Sequence, residues 1–287
     1  MILPGAPQSA AAVADHYDEL DATYRRLWGE HVHHGLWSTG DETPEAAVEA
    51  LVDAVGDRLG LAPGDACVDI GCGYGATARR LAATRGVRVV GFTLSGEQAR
   101  HAAAHATAGV EIRQGDWLDN GLADASADAA WAIESSEHFA DKQRLFAEAH
   151  RVLVPGGRLV VCAWLAAADP RGWEVRHLLE PICREGRLPS MGTRAEYEAM
   201  ARAAGLEVVG YQDVSRRVAR TWTICTGRLL RSVLVDPETR RLAVEARNRE
   251  FALSLPRLML AYRTGAMRYG ILTLAKPGAE AATPRGA

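Results

Sequence analysis

The sequence predicts an α/β fold, a mostly parallel sheet with helices on both faces, and three observations lead to it. From residue 66 onward, short β-rich apolar runs alternate with helical stretches, which is the pattern of βαβ units. The first of these runs ends in a cluster of glycines, as a strand does before a tight turn into a helix. With 287 residues, 48% of them hydrophobic, the chain can bury one large core.

Five strands and three helices make up the predicted core of this fold. Helices are expected from Ala76, after the N-cap candidate Ser95, and over residues 141–152. The last of these runs into the turn signal Pro155-Gly156-Gly157. The predicted strands are Ala66–Ile70, Val87–Phe92, Val110–Arg113, Ala129–Ile133 and Arg158–Trp164.

The rest of the chain is predicted to fold around this core. Residues 1–60 read as helices and form an N-terminal lid, and residues 61–213 complete the core with a less regular stretch, a helix near 194–204 and a strand at 206–211. Residues 214–265 are too long for a bare loop and are expected to be a helical cap over the carboxyl ends of the strands. Residues 266–287 would supply the last strand, antiparallel to the others, and a frayed tail.

Composition limits the partners of the protein. Lys and Arg number 33 against 36 Asp and Glu, a formal charge of -3, which argues against nucleic acid or an anionic membrane surface as a partner. No apolar run is long enough to predict a membrane span, and no basic segment precedes an apolar one as in a signal peptide. A small-molecule partner is therefore expected, while the oligomeric state is not readable from the sequence.

The five cysteines form no C-x-x-C pair, and their number is odd. A disulfide scaffold or a thiolate zinc site is therefore not expected. Reduced cysteines in a cytoplasmic protein fit this pattern better.

The glycine loop from Val68 to Ala76 is the most informative motif. Its glycines allow a tight turn and let a ligand approach the backbone at a helix N-terminus. The pattern also fits a dinucleotide fingerprint, or a turn that only packs helix on strand. However, Asp69 precedes the first glycine, where a carboxylate suits an ammonium group and repels a pyrophosphate, and no acidic ribose reader follows the second strand near Thr93. S-adenosylmethionine, a zwitterionic nucleoside, fits this loop better.

Further motifs make a resemblance explicit. The chain resembles class I S-adenosylmethionine-dependent methyltransferases in the glycine loop, in Val90 to Ser95, in Gly115-Asp116 and in Leu153-x-Pro155-Gly156-Gly157. It is most similar to the γ-tocopherol-methyltransferase-like branch of small-molecule enzymes, through the segments Trp28 to Gly35, Ile133 to Lys142 and Leu255 to Pro277. The implied fold is a Rossmann-like sheet, with S-adenosylmethionine as cofactor and S-adenosylhomocysteine as product.

The resemblance implies a cofactor site along the carboxyl ends of the strands. Asp69 would take the ammonium group, and Asp116 would accept from the adenine N6 amine, unless it only forms an Asx turn. Trp117 would cover the adenine or offer its backbone N–H, with core packing as the alternative, and Tyr17 would close over the cofactor or simply pack. The remaining predicted contacts are Gly71, Cys72, Gly73 and Gly75 for the methionine moiety, Thr93, Leu94 and Gln98 for the ribose, and Ile133.

Two carboxylates and an imidazole follow the fourth strand within five residues, as Glu134, Glu137 and His138. Glu137 and His138 are the candidates for base and proton acceptor, and Glu134, nearest the strand, is expected to border the cofactor. Burial and a neighbouring carboxylate would raise the pKa of a glutamate here towards neutrality. The alternative is a capping, salt-linked loop before the next helix.

The acceptor pocket is the least readable part. His34, Trp37 and Trp222 are predicted to line it, with Trp164 and Trp173 as further aromatic candidates. The spacing of His31, His33 and His34 is wrong for a helical metal pair, so no metal is expected there. The cap arginines face either an anionic acceptor or solvent: Arg184, Arg187, Arg216, Arg217 and Arg220.

The expected function is methyl transfer to a small, largely apolar acceptor, such as a prenylated phenol, a terpenoid or an indole. The resemblance slightly favours C-methylation, and transfer to oxygen or nitrogen stays open. An NAD(P)-dependent oxidoreductase and a non-catalytic cofactor-binding subunit are the alternatives from other classes.

Overall fold

A seven-stranded sheet lies at the centre of the computed structural model, which describes residues 1–5, 7–235 and 246–278. The strands are β1 (Ala66–Ile70), β2 (Arg88–Thr93), β3 (Val110–Gln114), β4 (Ala127–Ile133), β5 (Leu153–Ala166), β6 (Glu207–Asp213) and β7 (Met267–Ala275). Their order is β3-β2-β1-β4-β5-β7-β6, and β7 runs antiparallel to both of its neighbours. The predicted fold class, a mostly parallel sheet whose last strand is antiparallel, is confirmed.

Helices cover both faces of the sheet and its carboxyl edge. They are α1 (Ala10–Leu27), α2 (Pro44–Leu59), α3 (Ala76–Arg85), α4 (Gly96–Ala104), α5 (Lys142–Val152), α6 (Gly172–Glu174), α7 (Glu180–Glu185), α8 (Arg194–Ala203), α9 (Ser215–Val218), α10 (Arg220–Val235) and α11 (Ala246–Thr264). Ser95 caps α4 as predicted, because its side chain accepts from the Gln98 amide. No helix in these ranges is long and apolar enough to cross a membrane.

The alternation of side chains along β4 explains why both faces are covered. Ala130 and Ala132 point into one apolar cluster, with Leu145 and Phe146 of α5. Trp131 and Ile133 point into the cluster on the opposite face, which α2 and α3 cover. A strand that is apolar on both faces must be buried on both, which is the condition for a central parallel strand.

Two regions differ from the element predictions. Residues 1–60 are not continuous helix, because an irregular segment from 28 to 43 separates α1 from α2. The stretch 165–192, expected to be less regular, contains α6, a π-helical turn (Val175–Leu179) and α7.

The segment expected to form the cap is helical in α9, α10 and α11. With α7, helices α10 and α11 enclose a third apolar cluster that includes Leu179, Trp222 and Leu258. Residues 236–245 of this segment and the tail 279–287 lie outside the described residues. All five cysteines are buried, and none forms a disulfide.

Candidate active site

A first cavity opens at the carboxyl ends of β1, β2, β3 and β4. It is lined by Val13, Tyr17, Val32, Gly71, Gly73, Phe92, Thr93, Leu94, Ser95, Gln98, Gly115, Asp116, Trp117, Ile133, Glu134, Ser135, His138 and Phe139. Nine of the cofactor residues predicted from the sequence thus lie around one space: Tyr17, Gly71, Gly73, Thr93, Leu94, Gln98, Asp116, Trp117 and Ile133.

Backbone geometry explains the glycines of the loop. Gly71 has φ +76°, and a Cβ built on it would lie 2.4 Å from Cβ of Ser135. Ser135 cannot withdraw, because its hydroxyl donates to the Ile70 carbonyl. Gly73 and Gly75 also have positive φ, and Gly75 stands at the N-terminus of α3. The loop is therefore closely fitted to the first residues after β4 and leaves its backbone open to a ligand.

Polar groups of the cavity are held in place by short hydrogen bonds. The Thr93 hydroxyl donates to Oε1 of Gln98 over 2.7 Å. Asp116 accepts from the Leu118 amide at 2.9 Å, so it forms the Asx turn considered above while also lining the cavity. Trp117 is 2% exposed, and its indole donates to the Leu145 carbonyl over 3.4 Å. Its ring therefore belongs to the core, and the backbone is the part of Trp117 that is left for the predicted adenine contact.

Three predicted cofactor residues, Asp69, Cys72 and Gly75, do not line this cavity. The Cys72 side chain lies against Gly91 of β2, where a Cβ would be 2.8 Å from Cβ of Cys72, so it faces the sheet. Asp69 lies below the glycine loop. It is 3% exposed, and its Oδ2 finds no hydrogen-bond partner among the described residues.

The Asp69 carboxyl is suited to a cationic ligand. Burial raises its pKa to about 7, because the charged form loses its water, and the side chain of Trp131, which lowers this pKa, offsets only part of the shift. A buried polar oxygen without a partner is uncommon in a folded protein. An ammonium group bound at the loop, directly or through water, would supply the missing partner, and the residues present thus fit the amino-acid end of S-adenosylmethionine.

A second cavity, of about 700 Å³, adjoins the first. It is lined by Tyr17, Tyr24, Trp28, Val32, His34, Glu134, Glu137, His138, Trp164, Ile182, Glu185, Gly186, Leu188, Trp222, Ser254 and Leu258. Seven of its sixteen residues carry an aromatic or imidazole ring, and the ring of His34 meets those of Trp222 and Trp164 edge-on at centroid distances of 5.0 and 5.6 Å. Tyr17, Val32, Glu134 and His138 border both cavities.

The structure brings only some of the residues predicted for the acceptor pocket to this second cavity. His34, Trp222 and Trp164 line it, but Trp37 lies elsewhere, against Gly35 and beside a separate groove. The amide of Trp37 donates to the Arg217 carbonyl, a bond that turns this part of the chain away from the cavity. Trp173 is 42% exposed and lines neither cavity.

Sequence reasoning also missed residues of this cavity, namely Tyr24, Trp28, Val32, Ile182, Glu185, Gly186, Leu188, Ser254 and Leu258. They come from α1, the segment after it, α7 and α11, with no motif in common. Leu258 lies in a part of the chain that was expected to cap the sheet, and that expectation was the only signal for it.

Glu134 has an unusual environment at the tip of β4. Its φ of 53° is rare for a residue other than glycine and indicates backbone strain at this position. Its carboxylate accepts from the His34 amide (2.6 Å), the Trp164 indole (2.9 Å) and the Tyr269 hydroxyl (2.8 Å), and it pairs with Nδ1 of His34 (2.9 Å). Burial alone would raise its pKa, but His34 outweighs burial and lowers the pKa to about 2. Glu134 is therefore a fixed negative charge at the junction of the cavities.

Glu137 differs from Glu134 in every respect that matters for proton transfer. It is 2% exposed and accepts from the Trp164 amide and, at 3.0 Å, from the Ser136 hydroxyl. Burial raises its pKa to about 7, and the nearby charge of Glu134 adds to this shift. It lines only the second cavity.

His138 contributes an imidazole to the junction of the two cavities. Its Nε2 lies 3.0 Å from the Tyr17 hydroxyl. Burial lowers its pKa to about 4, so its ring is neutral near pH 7. Lys142, buried beside this loop, donates to the carbonyls of Glu137 and Phe139 at 3.1 and 2.8 Å and so holds the backbone on both sides of His138.

The histidines and arginines singled out in the sequence are dispersed. His31 and His33 hydrogen bond to each other at 3.2 Å, while His34 turns to Glu134. Arg217 and Arg220 bind carbonyls of Trp37 and Gly40. None of the five cap arginines lines either cavity: Arg184, Arg187, Arg216, Arg217 and Arg220.

Comparison with known proteins agrees with this arrangement. A family model described as mycolic acid cyclopropane synthetase matches residues 6–250. The chain is 34% identical to the 27-O-demethylrifamycin SV methyltransferase of Amycolatopsis mediterranei, over 91% of this chain and 95% of that protein. It is 29% identical to the chloroplastic tocopherol O-methyltransferase of Arabidopsis thaliana, over 92% of this chain and 82% of that one. The structure of the cyclopropane synthase MmaA2 from Mycobacterium tuberculosis superimposes with a TM-score of 0.84 at 26% identity, covering 94% of this chain and 99% of that one.

Proposed function

Because the chain belongs to the mycolic acid cyclopropane synthetase family and is a class I S-adenosylmethionine-dependent methyltransferase, we propose that it methylates a hydroxyl oxygen of a small, largely apolar acceptor. The observation that carries this proposal is the junction of the two cavities at Tyr17, Glu134 and His138. A methyl group held in the first cavity would face an acceptor held in the second. In-line displacement needs this alignment and a site that excludes water.

The residues of the first cavity would hold the cofactor. Asp69 would take the ammonium group, Gln98 and Thr93 the ribose, and Asp116 the adenine amine. S-adenosylmethionine, when bound, supplies the electrophilic methyl group. Glu134, ionised and held by four hydrogen bonds, would face the sulfonium charge.

The Tyr17–His138 pair would take the acceptor's proton. Tyr17 passes its hydroxyl proton to Nε2 of His138, 3.0 Å away, as it receives the proton of the acceptor hydroxyl. With S-adenosylmethionine bound, its methyl group would pass from sulfur to the acceptor oxygen, S-adenosylhomocysteine and the methyl ether would be released, and the proton would remain on His138. A neutral imidazole is required for this step. Burial lowers the pKa of His138 to about 4, which keeps the ring neutral near pH 7 and makes it a weaker base than a free imidazole.

Glu137, the first candidate for the base from the sequence, is the second candidate here. Its pKa near 7 suits a base. However, its carboxylate is engaged by Trp164 and Ser136 and does not reach the first cavity.

C-methylation is the second candidate function, and one observation favours it. The ionised Glu134 lies beside a cavity with aromatic walls, and both features stabilise a carbocation, which transfer to an alkene would produce. The apolar walls of this cavity suit both O- and C-methylation.

The first 60 residues and the cap segment 214–265 both contribute aromatic side chains to the walls of the second cavity. Lid and acceptor-cap roles are therefore proposed for these two regions.

An acceptor screen with isotopically labelled S-adenosylmethionine tests the proposal. Phenols, including prenylated phenols, are expected to be methylated on oxygen, and NMR of the product distinguishes O-methyl from C-methyl. Tyr17→Phe and His138→Gln are expected to lower kcat by roughly 100-fold. Tyr211→Phe, outside both cavities, is the matched control. Transfer only to prenyl alkenes, or full activity in both variants, would contradict the proposed O-methylation.

The cellular location and the partner of the protein are also proposals. The five buried, unlinked cysteines support a reducing compartment, and we propose a cytoplasmic location. The proposed partner is the acceptor itself, which the mildly acidic composition and the apolar second cavity support.

A further inference from the structure

A cluster of three potential metal ligands lies outside both cavities. Glu30, in the segment after α1, meets His101 and His105 at the end of α4. We propose that these three side chains bind a divalent transition metal ion, with Zn²⁺ as the best match. This inference is independent of the acceptor and of the proposed chemistry.

The geometry of the cluster is close to that of a three-ligand zinc site. His101 and His105 are four residues apart, and their rings stack with centroids 4.3 Å apart. Oε1 of Glu30 is 3.4 Å from Nε2 of His101 and 3.9 Å from Nε2 of His105, and the three ligand atoms lie within 4.8 Å of one another. Bond lengths of about 2.0–2.2 Å in a tetrahedral zinc site separate the ligand atoms by roughly 3.3 Å. Small side-chain rotations would therefore bring all three atoms onto one ion.

A hydrogen bond within the cluster prepares one histidine as a ligand. Nδ1 of His105 donates to the His101 carbonyl over 2.9 Å, so in the neutral ring Nε2 carries the lone pair. That lone pair faces Oε1 of Glu30. Two hydrogen-bond acceptors facing each other repel, unless a cation or a proton lies between them. A backbone carbonyl that fixes the tautomer of a ligating histidine is a regular feature of zinc sites.

The second oxygen of Glu30 is engaged elsewhere. Arg79 on α3 binds Oε2, which orients the carboxylate and leaves Oε1 to the histidines. The positive charge of Arg79 also opposes a cation, so binding should be weaker than in a closed structural zinc site. Side-chain exposure of 43% for Glu30 and 46% for His105 gives an ion access from solvent.

The ligand types select the metal. Two imidazole nitrogens and one carboxylate favour Zn²⁺, Co²⁺ or Ni²⁺, whereas Mg²⁺ and Ca²⁺ prefer oxygen ligands only. An ion here would fasten the end of α1 to α4 beside the cofactor cavity. The two helices are already joined at the other end of α4, where Asp18 accepts from the Glu97 amide at 3.1 Å.

Titration of metal-free full-length protein with Co²⁺, a coloured substitute for Zn²⁺, tests this proposal without reference to activity. We expect a single Co²⁺ per chain to give a visible absorption band that Zn²⁺ abolishes. His105→Ala and Glu30→Gln should each weaken Co²⁺ affinity by at least roughly tenfold. The matched control His177→Ala, an exposed histidine elsewhere, should leave the affinity unchanged.

Thermal unfolding and S-adenosylhomocysteine binding would establish that each variant is folded. Failure of the folded wild-type protein to bind Co²⁺ would overturn the proposal. So would a Co²⁺ site that survives His105→Ala but is lost in His31→Ala, since the ion would then lie at the neighbouring His31–His33 pair.

Discussion

The two adjoining cavities are built in opposite ways. The first is formed mainly by residues at the ends of β1, β2, β3 and β4 and in the loops that directly follow these strands. The second is formed by large aromatic and aliphatic side chains from α1, the segment after it, α7, α10 and α11. Among the described residues, the two linings share only residues of α1, of the segment after α1 and of the loop at the end of β4.

This difference separates what must stay constant from what can vary. In a parallel sheet the carboxyl ends of neighbouring strands meet at one edge, so a few residues after each strand suffice to build the first cavity. The second cavity depends on how helices distant in sequence pack over that edge. Changes in the first should therefore affect cofactor binding and folding together, and changes in the second mainly the choice of acceptor.

Gly71→Ala should have the largest effect, because it disrupts the first cavity. The new Cβ would lie 2.4 Å from Cβ of Ser135, and the alanine would have to adopt the φ of +76° that Gly71 has. The left-handed backbone alone costs about 1–2 kcal/mol, and the steric overlap adds to this. We expect loss of measurable S-adenosylhomocysteine binding and a lower Tm, checked by calorimetry and thermal unfolding.

Gly210→Ala is the matched control for this change. A Cβ at Gly210 meets no atom within 4 Å, and its φ is not positive. The affinity of the Gly210→Ala variant for S-adenosylhomocysteine should match that of the wild-type protein. Equal losses in the two variants would mean that the fit of the glycine loop to Ser135 is not what the cofactor requires.

Glu134→Gln should have the next largest effect, because it acts where the two cavities meet. The variant keeps the size of the side chain but removes the charge and places an amide donor among four partners that need an acceptor. We expect turnover to fall by roughly 100-fold or more, with about 1–3 kcal/mol of stability lost. Steady-state kinetics and urea unfolding measure both effects.

The pH dependence of stability provides a check on Glu134. Its pKa of about 2 in the folded protein lies below the ordinary value of 4.5, so its ionised form stabilises the fold above pH 4.5. That contribution should disappear as the pH falls through about 2, and Glu134→Gln should remove it at every pH. Wild-type stability and turnover in Glu134→Gln would contradict a structural and electrostatic role for this charge.

The same comparison explains what could be predicted from the sequence. The strands of the core, the glycine loop and Asp116 follow from local signals, because each is decided within a few residues of a strand end. Trp37 could not be placed, since a hydrogen bond to Arg217, 180 residues away, determines which way it faces. Likewise, Glu134 and Glu137 have opposite pKa shifts because His34 outweighs burial at Glu134, whereas burial prevails at Glu137, and both conditions arise only in the folded chain.

Asp69→Asn should have a moderate effect, which is limited to cofactor binding and depends on pH. Burial raises the pKa of Asp69 to about 7 from an ordinary 3.8, so below pH 7 the free protein must lose a proton before it binds an ammonium group through the carboxylate. Affinity for S-adenosylhomocysteine should therefore rise with pH, by up to about tenfold per unit, and level off above pH 7. Asp69→Asn should flatten this profile and weaken binding by roughly tenfold at pH 8.

The comparison variant for Asp69 is Cys72→Ser, which changes a neighbouring side chain that faces the sheet. It should retain the wild-type pH profile. A profile that persists in Asp69→Asn would assign the proton to another group and leave the ammonium contact without support.

Glu185→Gln should have the smallest effect and the most selective one. Glu185 lines the second cavity and pairs with Arg257. It does not line the first cavity, to which the glycine loop belongs. Loss of its charge should change KM for the acceptor only a few-fold, because Arg257 is partly exposed and such pairs contribute about 1 kcal/mol or less. The affinity for S-adenosylhomocysteine should stay constant. If instead cofactor affinity and acceptor KM changed in proportion, the two cavities would be energetically coupled, and the division between a cofactor half and an acceptor half would have to be abandoned.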